Sequence, residues 1–191
     1  MKNPDKNIIL SIPKVIWEVI DKLSANGFEA YIVGGCLRDL MINRDINDWD
    51  ITTSAQPQDI QKIFKKSIYE NNFGTVGILT GAKENNLKIV EVTTYRLESN
   101  YLDKRHPENI KFADDICDDL MRRDFTINAM AFKIDSVKIL KTKVKAEGDL
   151  IDLYNGQDDL SNGLIRAVRD PNERFNEDAL RMLRAMRLTS Q

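Results

Sequence analysis

Two consecutive glycines between an apolar run and a helix-like run are the strongest constraint on how this chain can fold. Residues 29–33 are β-forming, Gly34 and Gly35 interrupt them, and residues 37–41 repeat apolar side chains at the spacing of a short helix. Glycine lets a backbone approach a phosphate closely, and the first turn of a helix offers free N–H groups. The pattern therefore indicates a strand, a phosphate-binding turn and a helix, with Arg38 as a further donor. An ordinary tight turn, with Arg38 paired to a surface acid, is the alternative.

Three carboxylates occur on predicted strands. Asp48 and Asp50 lie two residues apart in the strand predicted over residues 48–52, so both project from the same face. Like charges at this spacing repel each other unless a cation lies between them, and carboxylate oxygens suit Mg²⁺ or Mn²⁺. Glu91 is an acid within an otherwise apolar strand, and it could complete the site if the two strands are neighbours. Solvent-facing strand surfaces are the alternative for both segments.

Arginines are concentrated in two segments of the second half of the chain. Arg122 and Arg123 precede a helix predicted over residues 125–132, where they could bind anions or balance the aspartates just upstream. A second group, in which arginines follow an acidic pair at three-residue intervals, comprises Glu177, Asp178, Arg181, Arg184 and Arg187. Side chains three apart on a helix turn by about 60° per step, so these arginines would form a broad basic strip. Exposed ion pairs worth roughly 0.2–0.5 kcal/mol each are the alternative.

The composition excludes several kinds of site. The 28 basic and 30 acidic residues give a net charge of −2, so any contact with nucleic acid must come from a local patch. The single histidine, His106, excludes histidine-rich metal sites, and Cys36 and Cys117 form neither a disulfide framework nor a zinc site. The sequence contains no apolar stretch of membrane-spanning length and no N-terminal signal pattern. We therefore expect a cytoplasmic protein whose chemistry uses carboxylates, arginines and bound metal.

The 191 residues allow one domain, or one domain and part of a second. The remaining predicted elements are helices over 12–27 and 57–64, strands over 76–80 and 87–95, one or two short strands over 133–140, and a mobile loop over 100–107. A last helix, capped by Asp170 with Pro171 at its first position, is predicted to run to about Leu188. Its apolar stripe has no following partner segment, so we expect a truncated chain or a partner that covers it.

Taken in order, these motifs resemble those of the bacterial class II tRNA nucleotidyltransferases, the CCA-adding enzymes, whose relatives include the bacterial poly(A) polymerases. The resemblance spans about residues 30–188 and includes the segment from Asp152 to Arg166. It implies an α+β fold, in which a nucleotidyltransferase-fold head with a small mixed sheet and flanking helices occupies residues 1–150. Residues 151–191 would begin a helical neck, and the body and tail domains of the family would be absent.

The resemblance also implies a role for each motif. Asp48, Asp50 and Glu91 are the implied catalytic residues, and the first two would bind two Mg²⁺ ions or, alternatively, Mn²⁺. The implied nucleotide-binding residues are Gly34, Gly35, Arg38, Arg123, Asp178, Arg181, Arg184 and Arg187. Within this set, Asp178 and Arg181 would read the base. Cytosine N4 and adenine N6 donate to a carboxylate, whereas uracil and guanine present carbonyl oxygens at the same place.

The implied activity is template-independent addition of CMP and AMP to the 3′ end of tRNA. A primer hydroxyl attacks the α-phosphate of CTP or ATP, and pyrophosphate leaves. Residues 100–107 resemble a flexible loop of family members that can add A. Without a body and tail, we expect weak binding of tRNA. A poly(A) polymerase that uses ATP alone on general RNA ends, a non-catalytic nucleotide- or RNA-binding module and a metal-dependent phosphohydrolase are the alternatives, and the sequence leaves the oligomeric state open.

Overall fold

The computed structural model describes residues 6–69, 74–101 and 107–190. Its strands are β1 (Lys6–Pro13), β2 (Ala30–Val33), β3 (Trp49–Thr53), β4 (Ser67–Tyr69), β5 (Thr75–Leu79), β6 (Ile89–Thr94), β7 (Arg96–Tyr101), β8 (Pro107–Phe112), β9 (Met130–Ile139) and β10 (Lys143–Asp152). Its α-helices are α1 (Lys14–Ala25), α2 (Gly34–Met41), α3 (Pro57–Ile63), α4 (Ile116–Met121), α5 (Gly156–Ser161), α6 (Pro171–Glu177) and α7 (Leu180–Thr189). Single 3₁₀ turns occur at Asn85–Leu87 and Thr126–Asn128.

Eight of these strands form one mixed sheet in the order β1-β10-β9-β2-β3-β6-β5-β4. β3 and β6 run parallel, and the other neighbouring strands of this sheet are antiparallel. A parallel pair needs a crossover connection, which the segment containing α3, β4 and β5 provides. β7 and β8 form a separate two-stranded ribbon. The predicted α+β fold, with a mixed sheet and flanking helices, is confirmed.

The sheet register brings the ends of four strands together. β2 ends at Val33, which lies opposite Ala131 near the start of β9, and β3 begins beside the same end of β2. Asp50 of β3 pairs with Glu91 of β6 across the parallel contact. Residues that follow β2 and residues that begin β3, β6 and β9 therefore meet at one end of the sheet.

Side chains on the two faces of the sheet enter two separate cores. The larger core packs α1 and α3 against the sheet, and it includes Ile16 and Leu23 of α1, which are completely buried. These two residues lie on the apolar stripe that predicts the helix. On the other face, Tyr31 and Val33 of β2 pack with Leu120 of α4. Successive residues of a strand point to opposite faces, so β2 contributes to both cores.

Most of the predicted short elements are confirmed. Helices α1, α2 and α3 and strands β2, β3, β5 and β6 lie within a few residues of their predicted positions. The sequence-based prediction omits β1, β4, β7, β8, β10, α4 and α5. Of these, β10 could have been predicted, because charged residues alternate with apolar or small residues along most of its length. In the structure the apolar and small residues are the buried ones. That pattern is typical of a strand with one face towards solvent.

The helix predicted over residues 125–132 is wrong. This segment forms the 3₁₀ turn at Thr126–Asn128 and then enters β9. Met130, Ala131 and Phe132 are all buried, because β9 lies between two neighbouring strands of the sheet. A short run that is buried on every side fits a helix or a strand equally well, so its periodicity cannot decide between them.

The single long helix predicted from Asp170 to Leu188 is also wrong, because it is interrupted at Asp178. The backbone of Asp178 is extended, with φ −144° and ψ 108°, and its carboxylate accepts a hydrogen bond from the Leu180 N–H at 2.9 Å. Aspartate side chains that bond to nearby backbone groups compete with helix continuation. The predicted cap is confirmed, since the Asp170 side chain accepts from the N–H groups of Asn172 and Glu173.

The mobile loop predicted over residues 100–107 is described only at its ends, where Tyr101 closes β7 and Pro107 opens β8. Residues 102–106, which include His106, lie outside the described residues. Among the helices that are described, none has the length and apolar character required to cross a bilayer. The domain division at residue 150 stays a prediction.

Candidate active site

A cavity of about 840 Å³ lies where the four strand ends meet. All of the site residues predicted from the sequence line it: Gly34, Gly35, Arg38, Asp48, Asp50, Glu91, Arg123, Asp178, Arg181, Arg184 and Arg187. They come from the first turns of α2 directly after β2, the beginnings of β3 and β6, the segment before the second 3₁₀ turn, the break at Asp178 between α6 and α7, and α7 itself. The fold thus brings every predicted position to one cavity.

Two of the three carboxylates of this cavity, those of Asp50 and Glu91, are placed by the parallel strands, whereas Asp48 is exposed and lies just before β3 and not within it, as the predicted strand had it. Asp50 and Glu91 occupy paired positions, and Asp48 lies two residues before Asp50. Asp50 is partly buried, and this burial raises the pKa of its carboxyl above the usual value. The Arg123 guanidinium opposes the shift, whereas Asp48 adds to it. The protein itself therefore compensates the negative charge of Asp50 only in part.

The glycine turn brings three segments into contact. Gly34 has φ +71°, in the left-handed region that glycine adopts without a steric penalty. A Cβ atom on Gly34 would lie 3.1 Å from Arg123 Nη1 and 3.4 Å from Asp50 Oδ2. Gly34 is therefore required by its backbone angle and also by the close approach of these two charged side chains.

The buried side chain of Cys36 links the glycine turn to β3. Its Sγ donates to the Val33 carbonyl oxygen at 3.0 Å and accepts from the Asp50 N–H at 3.4 Å. The side chain is buried, and this burial raises the pKa of the thiol to about 12. Cys36 therefore stays a neutral thiol at ordinary pH, and it fixes the backbone of Asp50 relative to the end of β2.

Arg38 is held by two side chains on the cavity wall. Its Nε and Nη2 donate to the two oxygens of Asp39 at 2.9 and 3.0 Å, and its Nη1 donates to Asn128 Oδ1 at 2.7 Å. Arg38 is thus paired with an acid, as the ordinary-turn alternative expects. The pair lies on the cavity wall, however, and not on the outer surface.

Arg122 and Arg123 share one buried counter-charge. Asp119 of α4 is completely buried, and its carboxylate accepts from Arg122 Nε and Arg123 Nη2, each at 3.0 Å. Burial alone would raise the pKa of Asp119, but the two guanidinium groups outweigh this effect and lower the pKa. The arginines therefore balance an upstream aspartate, and Arg123 also lines the cavity.

The arginines of α7 differ in burial. Arg181 is only 5% exposed, and its Nη1 donates to Glu177 Oε2 at 2.7 Å. The side chain of Arg184 is half exposed, and its Nε donates to Asp124 Oδ2 at 2.7 Å. Arg187 is exposed. Helix α7 is therefore tied to the 122–128 segment through Arg184 and Asp124.

Several lining residues have no role in the sequence-based assignment. They are Arg44, Asp45, Asn47, Thr75, Thr93, Arg96, Asp124 and Asn128. Asp119, whose carboxylate accepts a hydrogen bond from Arg123 on the side away from the cavity, has no site role in that assignment either. The sequence does carry a signal for Asn128, because it is an amide within an otherwise apolar stretch. Burying an amide is costly unless it has partners.

The donor set at the start of β3 suits a divalent cation. Asp48 and Asp50 supply carboxylate oxygens, and Mg²⁺ is commonly held by one or two carboxylates together with substrate phosphates. A cation beside Asp50 would also favour the charged carboxylate against the effect of burial. Among the described residues, no group of three or more His, Cys, Asp or Glu side chains forms a metal-binding cluster. A carboxylate pair completed by a substrate is therefore the arrangement that these residues fit.

Sequence comparison places the chain in a family. The family model described as the poly A polymerase head domain matches residues 30–166. The chain belongs to this family, and the resemblance inferred from its motifs is confirmed.

Individual relatives are CCA-adding enzymes and a tRNA nucleotidyltransferase. A CCA-adding enzyme of Lactobacillus helveticus (strain DPC 4571) is 47% identical over 174 residues, which are 91% of this chain and 39% of the relative. The crystal structure of the Bacillus stearothermophilus CCA-adding enzyme in complex with CTP superposes with a TM-score of 0.74 at 36% identity, covering 93% of this chain and 39% of that one. A tRNA nucleotidyltransferase complexed with a primer tRNA and an incoming ATP analog superposes with a TM-score of 0.64 at 29% identity, covering 88% of this chain and 43% of that one. The chain thus spans less than half of the length of these relatives.

Proposed function

We propose that the chain forms the catalytic head of an enzyme that adds CMP and AMP to the 3′ end of tRNA. The substrates would be CTP and ATP, and the leaving group would be pyrophosphate. One observation carries this proposal: strand carboxylates, a glycine turn and arginines converge on one cavity. The relatives bound to CTP, and to a primer tRNA with an ATP analog, support the choice of substrates.

Asp48 and Asp50 would hold two Mg²⁺ ions, with Glu91 as the neighbouring carboxylate. When bound, these ions would lower the pKa of the primer hydroxyl and neutralise charge on the leaving pyrophosphate. The chain itself contributes by positioning the carboxylates and Arg123. The parallel register places Asp50 beside Glu91, and the turn at Gly34 brings Asp50 close to Arg123.

The glycine turn and its arginines would bind the triphosphate. The first N–H groups of α2 have no acceptor within the helix, and the positive end of the helix dipole favours an anion there. Arg38 and Arg123 add two positive charges to the same cavity. Both guanidinium groups are already oriented by buried partners, so little side-chain freedom is lost when a phosphate binds.

Asp178 and Arg181 would read the base. The Asp178 carboxylate accepts from the Leu180 N–H, and a carboxylate has further lone pairs that can accept from cytosine N4 or adenine N6. Arg181 is held by Glu177 and by the Arg174 carbonyl oxygen, which fixes the place from which it can donate to a ring nitrogen. Uracil and guanine would place a carbonyl oxygen against the carboxylate, so they would be rejected by repulsion.

A poly(A) polymerase is the second candidate, because the matching family model carries that description. It would share the carboxylates and the phosphate site but would use ATP alone on general RNA ends. The distinction therefore lies in the choice of nucleotide and primer, and product analysis can decide it.

Primer extension tests the proposal directly. A tRNA that lacks its terminal CCA is incubated with the chain, Mg²⁺ and CTP alone, ATP alone, both nucleotides, or UTP with GTP. We expect C to be incorporated from CTP alone, both C and A from the mixture, and nothing from UTP and GTP. Extension with ATP alone on any RNA end would favour the poly(A) polymerase, and phosphate release without primer would favour a phosphohydrolase.

Calorimetric titration provides a second test that does not depend on tRNA binding. We expect CTP and ATP to bind with an affinity that rises when Mg²⁺ is present, because phosphates and carboxylates would share the cation. Absence of CTP binding, or binding that Mg²⁺ leaves unchanged, would contradict the proposed site.

A further inference from the structure

Asn128 joins two arginines that belong to different helices of the site. Its Oδ1 accepts from Arg38 Nη1 at 2.7 Å, and its Nδ2 donates to Asp124 Oδ1 at 3.2 Å. The other oxygen of Asp124 accepts from Arg184 Nε at 2.7 Å. One continuous chain of hydrogen bonds therefore runs from α2, through the 3₁₀ turn, to α7.

The orientation of the Asn128 amide is determined by its partners. A guanidinium group only donates and an ionised carboxylate only accepts, so the amide oxygen must face Arg38 and the amide nitrogen must face Asp124. In the opposite orientation, the amide NH₂ group would face the N–H donors of Arg38 and the amide oxygen would face the carboxylate of Asp124, so neither hydrogen bond could form. Asn128 is 6% exposed, so water cannot readily replace either partner.

The turn that carries Asn128 is itself fixed. The Thr126 hydroxyl donates to Asp159 Oδ2 at 2.7 Å, and the Asn128 N–H donates to the Phe125 carbonyl oxygen at 2.9 Å. The Asn128 carbonyl oxygen also accepts from Arg123 Nη1 at 3.4 Å. The amide thus has a defined place relative to the sheet, and it can hold side chains that have more freedom.

We propose that Asn128 is a positioning residue that orients Arg38 and, through Asp124, Arg184, so that both ends of a bound nucleotide depend on one amide. This role rests on the proposed function, in which Arg38 contacts the triphosphate and Arg184 helps to hold the nucleotide. It assigns no contact between Asn128 and the substrate. The specific consequence is that loss of the amide weakens the binding of two chemically different parts of the ligand at once.

The test uses Asn128→Leu, which has nearly the same shape but neither donates nor accepts. Asn162→Leu is the matched control, because Asn162 is an exposed amide at the end of α5, where its Nδ2 donates to the Asp158 carbonyl oxygen. Calorimetry at one Mg²⁺ concentration gives the Kd for CTP, inorganic tripolyphosphate and CMP. Circular dichroism and thermal denaturation verify the fold, and Asn128→Ser, too short to reach both partners, replaces the leucine variant if that one is unfolded.

We expect Asn128→Leu to raise the Kd for CTP about 10-fold, as charged hydrogen bonds are lost. The Kd values for tripolyphosphate and for CMP should each rise about 3-fold or more, whereas Asn162→Leu should change none of the three. An effect on tripolyphosphate alone would show that Asn128 serves Arg38 only, and it would overturn the link to α7. Unchanged binding of all three ligands would overturn the role of Asn128 while leaving the proposed function intact. Failure of the unmodified protein to bind CTP would overturn both.

Discussion

Two aspartates near Arg123, one completely buried and one partly buried, have opposite electrostatic environments. Asp119, behind the arginine, is completely buried and accepts from both Arg122 and Arg123, and its pKa is lowered. Asp50, on the cavity side, lies near Asp48, and its pKa is raised by burial despite the nearby Arg123. The protein neutralises the first carboxylate, whereas it compensates the charge of the second only in part, which suits the cation binding that we propose for it.

This difference distinguishes a carboxylate that stabilises the fold from one that is available to bind a cation. A buried charge that has its full set of partners contributes to the stability of the fold, and removing one partner is costly. A partly buried charge without such a set destabilises the fold but is available for binding a cation. Burial acts to raise the pKa of both carboxyl groups, and the sign of the net pKa shift distinguishes them because it depends on the charged groups around each.

Removal of the Asp119 charge should have the largest effect on stability. Asp119→Asn removes the buried carboxylate that Arg122 and Arg123 share, and we expect a loss of about 3–5 kcal/mol in the free energy of unfolding at pH 7. Urea denaturation measures this loss. A loss below about 1 kcal/mol would show that Asp119 is not the supporting charge.

The pH dependence sharpens the same prediction. The folded pKa of Asp119 lies below its unfolded value, so its stabilisation is fully present above the unfolded pKa and is lost as the pH falls through the folded pKa. The difference between the unmodified protein and Asp119→Asn should therefore shrink as the solution is acidified below about pH 4. A difference that stays constant down to the acid transition would contradict this assignment.

Asp50→Asn should have the opposite effect on stability and a large effect on activity. The folded pKa of Asp50 is raised, so its contribution to stability is present below the unfolded pKa and is lost as the pH rises through the folded pKa. Without Mg²⁺ at pH 7, we expect the variant to be as stable as the unmodified protein or about 1 kcal/mol more stable. CMP incorporation should fall by about 100-fold or more, because the variant lacks a carboxylate that we propose binds Mg²⁺.

The control for Asp50 is Asp21→Asn, which removes an exposed aspartate from α1. This control should leave both unfolding and CMP incorporation unchanged. Clear destabilisation by Asp50→Asn at pH 7 would remove the contrast between Asp50 and Asp119.

Gly34→Ala tests the contact between the two environments, and its expected effect is intermediate. The added Cβ meets Arg123 Nη1 at 3.1 Å, and the backbone angle costs about 1 kcal/mol for a residue other than glycine. Gly163→Ala is a matched control, since Gly163 has φ +62° and nothing within 4 Å of an added Cβ. Gly163→Ala should lose only the cost of the backbone angle, whereas Gly34→Ala should lose more stability and should also weaken CTP binding by about 10-fold. Equal effects of both variants on CTP binding would contradict the close approach at Gly34.

Arg184→Gln should have the smallest effect on stability. The Arg184 side chain is 51% exposed, so its pair with Asp124 should contribute less than about 1 kcal/mol and should weaken in high salt. Urea denaturation at low and high salt measures this contribution. A loss comparable to that of Asp119→Asn would mean that α7 is as firmly held as the buried arginines of the head.

The sequence predicts the residues that line the cavity better than the residues that hold those side chains in place. Asp48, Asp50 and the glycine turn are recognisable because their residue types and spacing match a chemical task, and the structure brings them together. Asp119 pairs with Arg122 and Arg123, three and four residues further along, so the sequence suggests this pairing but not the complete burial of the carboxylate. Asn128 accepts a hydrogen bond from Arg38, 90 residues away, and no local pattern encodes that tertiary contact.

The errors in secondary structure have a similar origin. Residues 129–132 are all apolar, so their pattern fits a helix or a strand, and only their position between two strands makes Met130 to Phe132 part of β9. At Asp178 the backbone is extended and the carboxylate accepts from the Leu180 N–H, a local arrangement that competes with the helix although the apolar periodicity continues across it. The alternating pattern of β10, in contrast, is local and could have been recognised from the sequence.

The outer surface of α7 provides a chemical reporter. Met182 and Met186 are 50% and 67% exposed, whereas Met130 at the start of β9 is 1% exposed. Peroxide oxidises accessible thioethers to sulfoxides, and shielding slows this reaction. Brief oxidation followed by mass spectrometry would therefore report, residue by residue, whether this helix surface is open or occupied, with Met130 as the internal standard.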